Sequence, residues 1–286
     1  MNIEKLLRWY NAPYSYFKYK SIQKYNLSRV NGFTNGNQPL SKDQKKAALD
    51  FFAPYCKISP AYHTFYFEKT GHFSEKYLPT DVYANHVDAY FNDRVGAKKI
   101  DNKCLYPVLF SGIPQADCLA FRKNGFWLDQ SNTLLSAEDL RILVDAEPAL
   151  FVKKATNSFG GKGVHYFEPD HRSLYEQLVK AIDRDKDDIV VQRPLKQHAA
   201  LAAINESSVN TIRVLSLLSE DGVKIYSSVL RMGIGSAKVD NASSGGVTCG
   251  ITPEGKLKKT AYKPSGEKYD THPTSGVVFD GYTITG

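Results

Sequence analysis

FVKKATNSFGGKGV, residues 151–164, is the stretch on which a fold prediction for this chain depends. It begins with the apolar pair Phe151-Val152, continues through a polar segment with three glycines, and ends at the start of an aromatic run, 164–167. Short apolar runs separated by a glycine-rich segment are typical of two β-strands joined by a flexible loop. We therefore predict a strand, a glycine loop and a second strand.

The glycine loop has the composition of a phosphate-binding loop. Gly160, Gly161 and Gly163 have no side chains to keep phosphate oxygens away from backbone N–H donors. Because side chains alternate between the faces of a strand, only one of Lys153 and Lys154 faces the same way as the loop. That lysine would supply a fixed positive charge to a polyphosphate. The Walker spacing is missing and no helical pattern follows directly, so a glycine-rich hairpin with surface lysines stays open as the alternative.

Composition narrows the class of protein. The chain has 286 residues, a formal net charge of +7, 42% hydrophobic and 12% aromatic residues. This composition suits a packed core in one large domain or two ordinary ones, and it excludes a disordered chain. The basic residues are spread along the sequence without a long Lys/Arg block, so nucleic acid is not the expected partner.

The four cysteines favour a reducing compartment. They are scattered, and no two form a C-x-x-C pair, which argues against a zinc site and against a disulfide scaffold. The N-terminus has no long apolar segment of the signal-peptide kind, and no run approaches the roughly 20 apolar residues of a membrane span. We expect a cytoplasmic protein without a transmembrane segment.

Residues 1–95 are predicted to form a mostly helical lead-in. Apolar residues within 3–10 have helical spacing, and helices are predicted over 42–52 and 82–91. Lysines and aromatic residues cluster within 8–19. This cluster is predicted to pack on the body of the protein, with contact to a membrane surface or a partner as the alternative.

Two serines have the position of helix N-caps. Ser41 precedes the helix 42–52, and Gln44 stands three positions later, as in a capping box. Ser136 precedes a helix that ends near Val144. Both helices are therefore predicted to begin directly after a serine.

The remaining elements follow from turn signals and apolar runs. Asn124-Gly125 predicts the turn of a hairpin. A helix is predicted over 170–182, and strands are predicted over 189–192, 209–218 and 223–232. Helices and strands therefore mix along residues 96–286, which indicates an α+β class.

Taken in order, several motifs resemble those of a known family. The motifs are Asp101-Asn102-Lys103, Lys153 with the glycine loop, VVQRPLKQH (190–198), SVNTIRV (208–214), LRMG (230–233) and DNASSGG (240–246). Their order and spacing resemble the ATP-grasp superfamily and, more narrowly, its sugar-transfer-associated group related to α-L-glutamate ligases. The resemblance covers roughly residues 75–286.

The resemblance implies a fold and a division into domains. It implies an α+β ATP-grasp fold, in which two α+β lobes clasp ATP, preceded by the mostly helical region 1–95. The ATP-grasp domain would span 96–286, with a first lobe at about 96–190 and a second, incomplete lobe at about 191–286.

The resemblance also assigns residues to ATP. Two lysines would bind the phosphates, the glycine loop would close over the β- and γ-phosphates, and the segment after the buried strand would hold adenine and ribose. These residues are Lys103, Lys153, Ser158, Gly160, Gly161, Gly163, Gln192, Pro194, Leu195 and His198. For His198 a structural role is the alternative.

The second lobe would carry the chemistry that the resemblance implies. Family members form an acyl phosphate from a carboxylate and ATP, and an amine or another nucleophile then displaces phosphate. Arg213 and Arg231, on neighbouring antiparallel strands, and Asn241 would be the catalytic residues, since a guanidinium fork suits phosphate and carboxylate oxygens. The residues Asp240, Gly245 and Gly246 would border the substrate, a small carboxylate.

Magnesium is implied by the resemblance, but its ligands stay unassigned. The family's late Glu-x-Asn element is not present before Gly286, so we expect either a fragment, which we favour, or a degenerate nucleotide binder. The expected function is ATP-dependent carboxylate–amine or carboxylate–thiol ligation, which the resemblance links to surface-polysaccharide assembly. Two alternatives stay open: a non-catalytic nucleotide-binding protein, and a basic binder of nucleic acid or membrane surfaces. The oligomeric state stays open as well.

Overall fold

The structure, a computed structural model, describes residues 20–21, 23–156, 158, 161, 163–182 and 187–284. The predicted helix within 3–10 and the aromatic cluster within 8–19 lie outside these residues. The chain divides into two compact units, Met1–Ala97 and Lys98–Gly286. No helix in the described ranges is long and apolar enough to cross a membrane.

In the described part of the first unit, all regular secondary structure is helical. Residues 23–33 are helical, and they are followed by α1 (Lys42–Phe52), α2 (Ala61–Thr70), α3 (Thr80–Val82), a π-helical turn (Tyr83–Val87) and α4 (Asp88–Phe91). The helix predicted over 82–91 therefore begins two residues earlier and contains a π turn. A further helix, α5 (Arg94–Ile100), spans the division between the units.

Both predicted serine caps are confirmed. The Ser41 side chain accepts from the Gln44 amide, and the Gln44 side chain accepts from the Ser41 amide. Ser136 forms the same reciprocal pair with Asp139 at the start of α7 (Ala137–Asp145), after the short helix α6 (Tyr106–Leu109). Each pair satisfies two amides that a helix start leaves without intrahelical acceptors.

The second unit begins with a five-stranded antiparallel sheet, in the order β2-β1-β5-β3-β4. Its strands are β1 (Cys118–Lys123), β2 (Phe126–Leu128), β3 (Leu150–Lys154), β4 (Val164–Phe167) and β5 (Ile189–Gln192). The predicted hairpin at Asn124-Gly125 is confirmed, and β3 and β4 are the two strands predicted on either side of the glycines. Helices α7 and α8 (Leu174–Ile182) cover one face, where an apolar core includes Leu140, Leu150 and Leu178.

The helix predicted over 170–182 was placed too early. It begins at Leu174, because Asp170 accepts from the Arg172 amide and turns the chain, and Ser173 then caps the helix. The Ser173 hydroxyl accepts from the Glu176 amide, and the Glu176 carboxylate accepts from the Ser173 amide. Local side-chain hydrogen bonds of this kind compete with helix formation and favour a cap instead.

A second antiparallel sheet follows, in the order β10-β9-β8-β7-β6. Its strands are β6 (Thr211–Ser219), β7 (Gly222–Met232), β8 (Val247–Ile251), β9 (Leu257–Tyr262) and β10 (Lys268–Tyr269). Along the chain, the short helix α9 (Ala199–Ala202) comes after β5 and before β6. The strand predicted over 209–218 starts two residues later. The predicted α+β class is confirmed, since helices and two antiparallel sheets combine in this unit.

The segment 193–198, called here the connecting segment, leaves the first sheet after β5 and leads into α9. It has no regular secondary structure, and Arg193 anchors its start. The Arg193 guanidinium donates to both carboxylate oxygens of Glu147, over 2.9 and 2.6 Å, and its amide donates to the Asp117 carbonyl. A bidentate guanidinium–carboxylate pair fixes geometry, so the position where the chain leaves the first sheet is well defined.

Replacing Ser136 by alanine tests the contribution of the cap to the first sheet's covering helix. Ser136→Ala removes the side-chain acceptor for the Asp139 amide, and we expect it to lower the free energy of unfolding by about 1 kcal/mol. Urea denaturation measures this loss. Ser131→Ala, in an exposed turn, serves as the control and should change the value by less than about 0.5 kcal/mol. Equal values for the two variants would contradict the capping role.

Candidate active site

Alternation along β3 decides which lysine faces the cleft between the two sheets. Phe151 and Lys153 share one face, where Phe151 pairs with Tyr166 across the ladder. The two rings lie 5.1 Å apart between centroids, and the Lys153 ammonium lies 5.5 Å from the Phe151 ring centroid. Lys154 faces the other way: its ammonium lies 2.8 Å from Asp187, and its stem covers Gly163. The structure thus places Lys153 on the cleft face.

Lys153 is a cation held in an unfavourable environment. Burial lowers the pKa of its ammonium, and the neighbouring positive charge of Lys103 lowers it further. Within the described ranges, no carboxylate lies at ion-pair distance from Lys153. An anion at this position would relieve both effects.

Lys103 lies at the base of the glycine loop, although it is far from it in sequence. A 3₁₀ turn (Lys103–Leu105), capped by the Asn102 side chain, presents it there. The Lys103 ammonium donates to the Ser158 hydroxyl over 2.7 Å, and the Lys103 amide donates to the Ala155 carbonyl. Two of the residues assigned to phosphate, Lys103 and Ser158, are therefore in direct contact.

The loop itself approaches the second lobe. Gly161 has a φ of +82°, and a Cβ atom there would lie 3.2 Å from the Asn241 side-chain oxygen and 3.6 Å from the Ser244 hydroxyl. Gly163 has a φ of +69°, and its Cβ would lie 2.7 Å from the stem of Lys154. Both positions favour glycine for conformation and for space. Gly160 lies outside the described residues.

A cavity of about 390 Å³ lies beside the connecting segment. Two residues predicted to hold adenine, Pro194 and Leu195, line it together with Phe151, Tyr166, Lys196, Gln197, Ala202, Glu206, Ser207, Ser208, Val209 and Lys238. Gln192 and His198 are not among the lining residues. His198 caps α9, where its Nδ1 atom accepts from the Ala200 amide. This contact fits the structural alternative, and the assignment of His198 to ATP stays a prediction.

A smaller cavity of about 230 Å³ continues towards the second sheet. It shares Phe151, Leu195, Val209 and Lys238 with the first cavity. Its other lining residues are Ala116, Lys153, Val164, Arg193, Thr211, Val239, Asp240 and Asn241. Lys153 of the first lobe and Asp240-Asn241 of the second lobe therefore border one space.

Asp240 holds Arg231 in place. Arg231 donates from Nη2 to the Asp240 carboxylate over 2.9 Å, and the Thr211 hydroxyl donates to the other oxygen of that carboxylate. Side-chain exposures of 17% and 10% show that the Arg231–Asp240 pair is largely shielded from water. The Arg231 Nε atom is buried and has no hydrogen-bond partner in the described part of the chain. One donor of this guanidinium thus lacks a hydrogen bond within the described residues.

Arg213 lies on the same sheet face as Arg231 but is exposed. Thr211 pairs with Arg231 and Arg213 pairs with Val229, so the two arginines are diagonal neighbours on adjacent strands. Arg213 does not line either cavity. Arg231 lines neither cavity either, but it is paired with Asp240, which lines the smaller one. The structure therefore brings Asp240 and Asn241 to the cleft, with Arg231 behind Asp240, and leaves Arg213 exposed on the sheet.

The glycine pair after the 3₁₀ turn Ala242–Ser244 has two different reasons to be glycine. Gly245 ends the turn in the left-handed region, with a φ of +98° and open space around it. A Cβ on Gly246 would lie 2.7 Å from the carbonyl oxygens of Asp240 and Met232. Gly246 therefore lets the Asp240 segment pack closely against the end of β7.

Lys238 and Gln197 belong to the site but were not selected from the sequence. Gln197 donates to the carbonyls of Asn205 and Ser208 and accepts from the Asn210 amide over 2.5 Å, which holds the cavity wall together. Gln197 lies inside the quoted motif 190–198, which is the signal that was available for it. Lys238 comes just before the quoted motif 240–246, but a single lysine there had no pattern of its own.

The described residues do not provide a magnesium site. They contain no group of three or more His, Cys, Asp or Glu side chains able to hold a metal ion. Asp240, the carboxylate that lines the smaller cavity, already accepts from Arg231 and Thr211.

A family model described as sugar-transfer associated ATP-grasp matches residues 84–285. The chain belongs to this family. The resemblance inferred from the motifs is thereby confirmed, as is the ATP-grasp fold preceded by a helical region. No curated protein matches the chain. Family membership implies ATP binding and ligase-type chemistry, and the cleft between the two sheets is the candidate site for both.

Substituting Gly246 tests the close packing behind Asp240. Gly246→Ala would force two backbone carbonyls apart, and we expect it to lower the free energy of unfolding by about 3 kcal/mol. Gly245→Ala, where only the left-handed conformation is strained, should cost about 1 kcal/mol. Chemical denaturation of both variants measures the difference. A Gly246→Ala loss no larger than the Gly245→Ala loss would show that the segment moves aside without strain.

Proposed function

We propose that this protein is an ATP-dependent carboxylate–amine or carboxylate–thiol ligase that acts through an acyl phosphate. The observation that carries the proposal is the space shared by Lys153 and Asp240-Asn241. Lys153 is a cation of lowered pKa without a carboxylate partner among the described residues, and Asp240, which borders the same space from the opposite lobe, is paired with Arg231. This arrangement suits a group that is transferred as an anion between two lobes.

The two cavities suggest how ATP would lie. The larger one is bordered by the connecting segment and by Phe151, Leu195 and Val209, which offer the apolar walls and backbone polar groups that suit a purine base. The smaller one leads to Lys153, with Lys103 and Ser158 at the base of the glycine loop. We infer that adenine occupies the larger cavity and that the phosphates extend towards Lys153.

Arg231 would act on the phosphoryl group as it is transferred. Its buried Nε atom has no partner in the described part of the chain, and Asp240 with Thr211 keeps the guanidinium in one orientation, directly behind the carboxylate that lines the smaller cavity. Preorganised donors of this kind stabilise charge that develops in the transition state without reorganising during the reaction. We assign Asp240 to positioning Arg231 rather than to direct substrate contact.

Asn241, Gly245 and Gly246 would border the acid or its acceptor. Asn241 lines the smaller cavity and lies next to Gly161 of the loop. Exposed Arg213 would help to attract the carboxylate, since a positive surface beside a cleft raises the local concentration of anions. The substrate would be a small carboxylate.

The biological setting of the proposal rests on the family description. Its words, sugar-transfer associated, support a role in building surface polysaccharides. A cytoplasmic location is supported by the free cysteines: Cys104, Cys118 and Cys249 are buried, and burial raises the pKa of each thiol to about 11, 12 and 11 respectively. Such thiols are inert core residues rather than disulfide partners.

A non-catalytic nucleotide-binding protein is the second candidate. It is favoured by the pairing of Asp240 with Arg231 and Thr211, because Asp240 is the one carboxylate that lines the smaller cavity in the described part of the chain and would otherwise be a candidate to hold magnesium. ATP turnover separates the two candidates. A protein that binds ATP but does not turn it over with any of a panel of small carboxylates, with magnesium supplied, would favour the second.

Replacing Lys153 by methionine should separate binding from stability. The pKa of Lys153 is lower in the folded protein than in the unfolded chain, so at neutral pH its positive charge opposes folding. We expect Lys153→Met to raise the melting temperature by about 1–4 °C while weakening ATP binding by about 1–3 kcal/mol. Thermal unfolding and titration calorimetry measure the two effects.

The control for Lys153→Met is Lys154→Met. Lys154 faces away from the cleft and forms an ion pair with Asp187, so its loss should lower stability slightly and leave ATP affinity nearly unchanged. Equal losses of affinity in both variants, or an unchanged affinity in Lys153→Met, would remove Lys153 from the phosphate site.

Arg231→Lys tests the catalytic role. The substitution keeps the positive charge but loses the planar fork, and we expect kcat to fall about a hundredfold with little change in ATP affinity. This pattern identifies an interaction specific to the transition state. Arg141→Lys, on the exposed face of α7, is the matched control and should keep full turnover. Unchanged turnover in Arg231→Lys would show that the phosphoryl group is transferred elsewhere.

A further inference from the structure

Lys238 stands at the junction of the two cavities. It lies between β7 and β8 in the second lobe, and it lines both the larger and the smaller cavity. Its ammonium lies 4.6 Å from the centroid of the Tyr166 ring, on β4 of the first lobe. Lys238 therefore spans the cleft from the side opposite to Lys153.

The chain on both sides of Lys238 is anchored. The Ala237 carbonyl accepts from the Ser207 hydroxyl over 3.1 Å, and two residues after Lys238 the Asp240 carboxylate accepts from Arg231 and Thr211. The Lys238 side chain is exposed to the cleft. Because the backbone is held on both sides and the side chain is long and exposed, the ammonium can turn towards a ligand.

The charges around the smaller cavity do not balance. Arg193 is paired with Glu147, and Asp240 is paired with Arg231. Lys153 and Lys238 have no ion-pair partner in the part of the chain that the structure describes. Glu206, which lines the larger cavity with Lys238, also forms no ion pair there. Two uncompensated cations thus face one space from opposite lobes, and an elongated anion fits such a space.

We propose that Lys238 binds the phosphate chain of the nucleotide from the second lobe and thereby selects nucleoside di- and triphosphates over nucleosides. This inference rests on the proposed nucleotide site and adds a residue that sequence motifs did not mark. A single cation–π contact with a half-buried tyrosine ring is weak compared with a charge-assisted hydrogen bond, so the ammonium exchanges the Tyr166 ring for phosphate oxygens at small cost. Tyr166 then keeps the ammonium near the cleft until a nucleotide arrives.

The test compares ligands that differ in phosphate number. Lys238→Met keeps the length of the side chain and removes its charge. By titration calorimetry we expect ATP and ADP affinity to fall about tenfold to a hundredfold and adenosine affinity to stay unchanged. Lys238→Arg should retain most of the ATP affinity, and Lys180→Ala, an exposed lysine on α8, should behave as the wild type. Thermal unfolding checks that each variant is folded.

Tyr166→Leu provides a second variant for the same test. If Lys238 acts on phosphate, this variant should keep the preference for ATP over adenosine, because the ammonium remains. If Lys238→Met lost affinity equally for adenosine and ATP, Lys238 would act through its contact with Tyr166 between the lobes and not on phosphate. That result would overturn the inference. Unchanged affinities for all ligands would overturn it as well. A wild-type protein that binds none of these nucleotides would overturn the proposed function itself, which is a different result from either.

Discussion

The alternation of side chains along β3 is the constraint on which the site depends. Leu150 and Val152 enter the core under α7 and α8, and this burial fixes the face that Phe151 and Lys153 present to the cleft. A shift of one residue would bury Lys153 under the helices and expose Val152, so the register is strongly specified. The antiparallel pairs to β4 and β5 hold that register on both sides. The position of a functional cation therefore follows from ordinary core packing.

In the second lobe, the corresponding feature is a largely buried guanidinium that is kept in one orientation. Asp240 compensates the charge of Arg231, and Thr211 occupies the second oxygen of that carboxylate. The absence of a side chain at Gly246 allows the Asp240 segment to approach Met232 closely enough for this pairing. Breaking one partner of a shielded ion pair leaves an uncompensated charge, so the three residues act as one unit. Gly246 thus helps to position Arg231, because it allows the backbone of the Asp240 segment to lie close to β7.

Much of this architecture could be predicted from sequence because local rules and packing agree. Ser41 and Ser136 are followed by acceptor side chains at the capping position, and Asn124-Gly125 matches the turn that a two-residue hairpin requires. The start of α8 was misplaced because the side chain of Asp170 bonds to the nearby Arg172 amide, and helical periodicity does not reveal such a bond. The family resemblance assigned Lys103 and Ser158 to the same phosphates, but their direct contact had no local signal in the sequence. Lys238 was missed because its role depends on the opposite lobe, and one lysine in a loop has no periodic signal.

The electrostatics of the two lobes also bear on how the cleft responds to a ligand. Lys153 and Lys238 border the same cavity from opposite sides, and like charges repel more strongly as the space between them is dehydrated. Without an anion, repulsion between the two ammonium groups therefore opposes narrowing of the cleft. With a phosphate chain between the lysines, the same charges favour the narrower cleft. A ligand shifts a conformational equilibrium only through its differential affinity for the two states, and here that difference grows with the number of phosphate charges. Adenosine alone has no such charge, so we expect the triphosphate, rather than the base, to draw the lobes together.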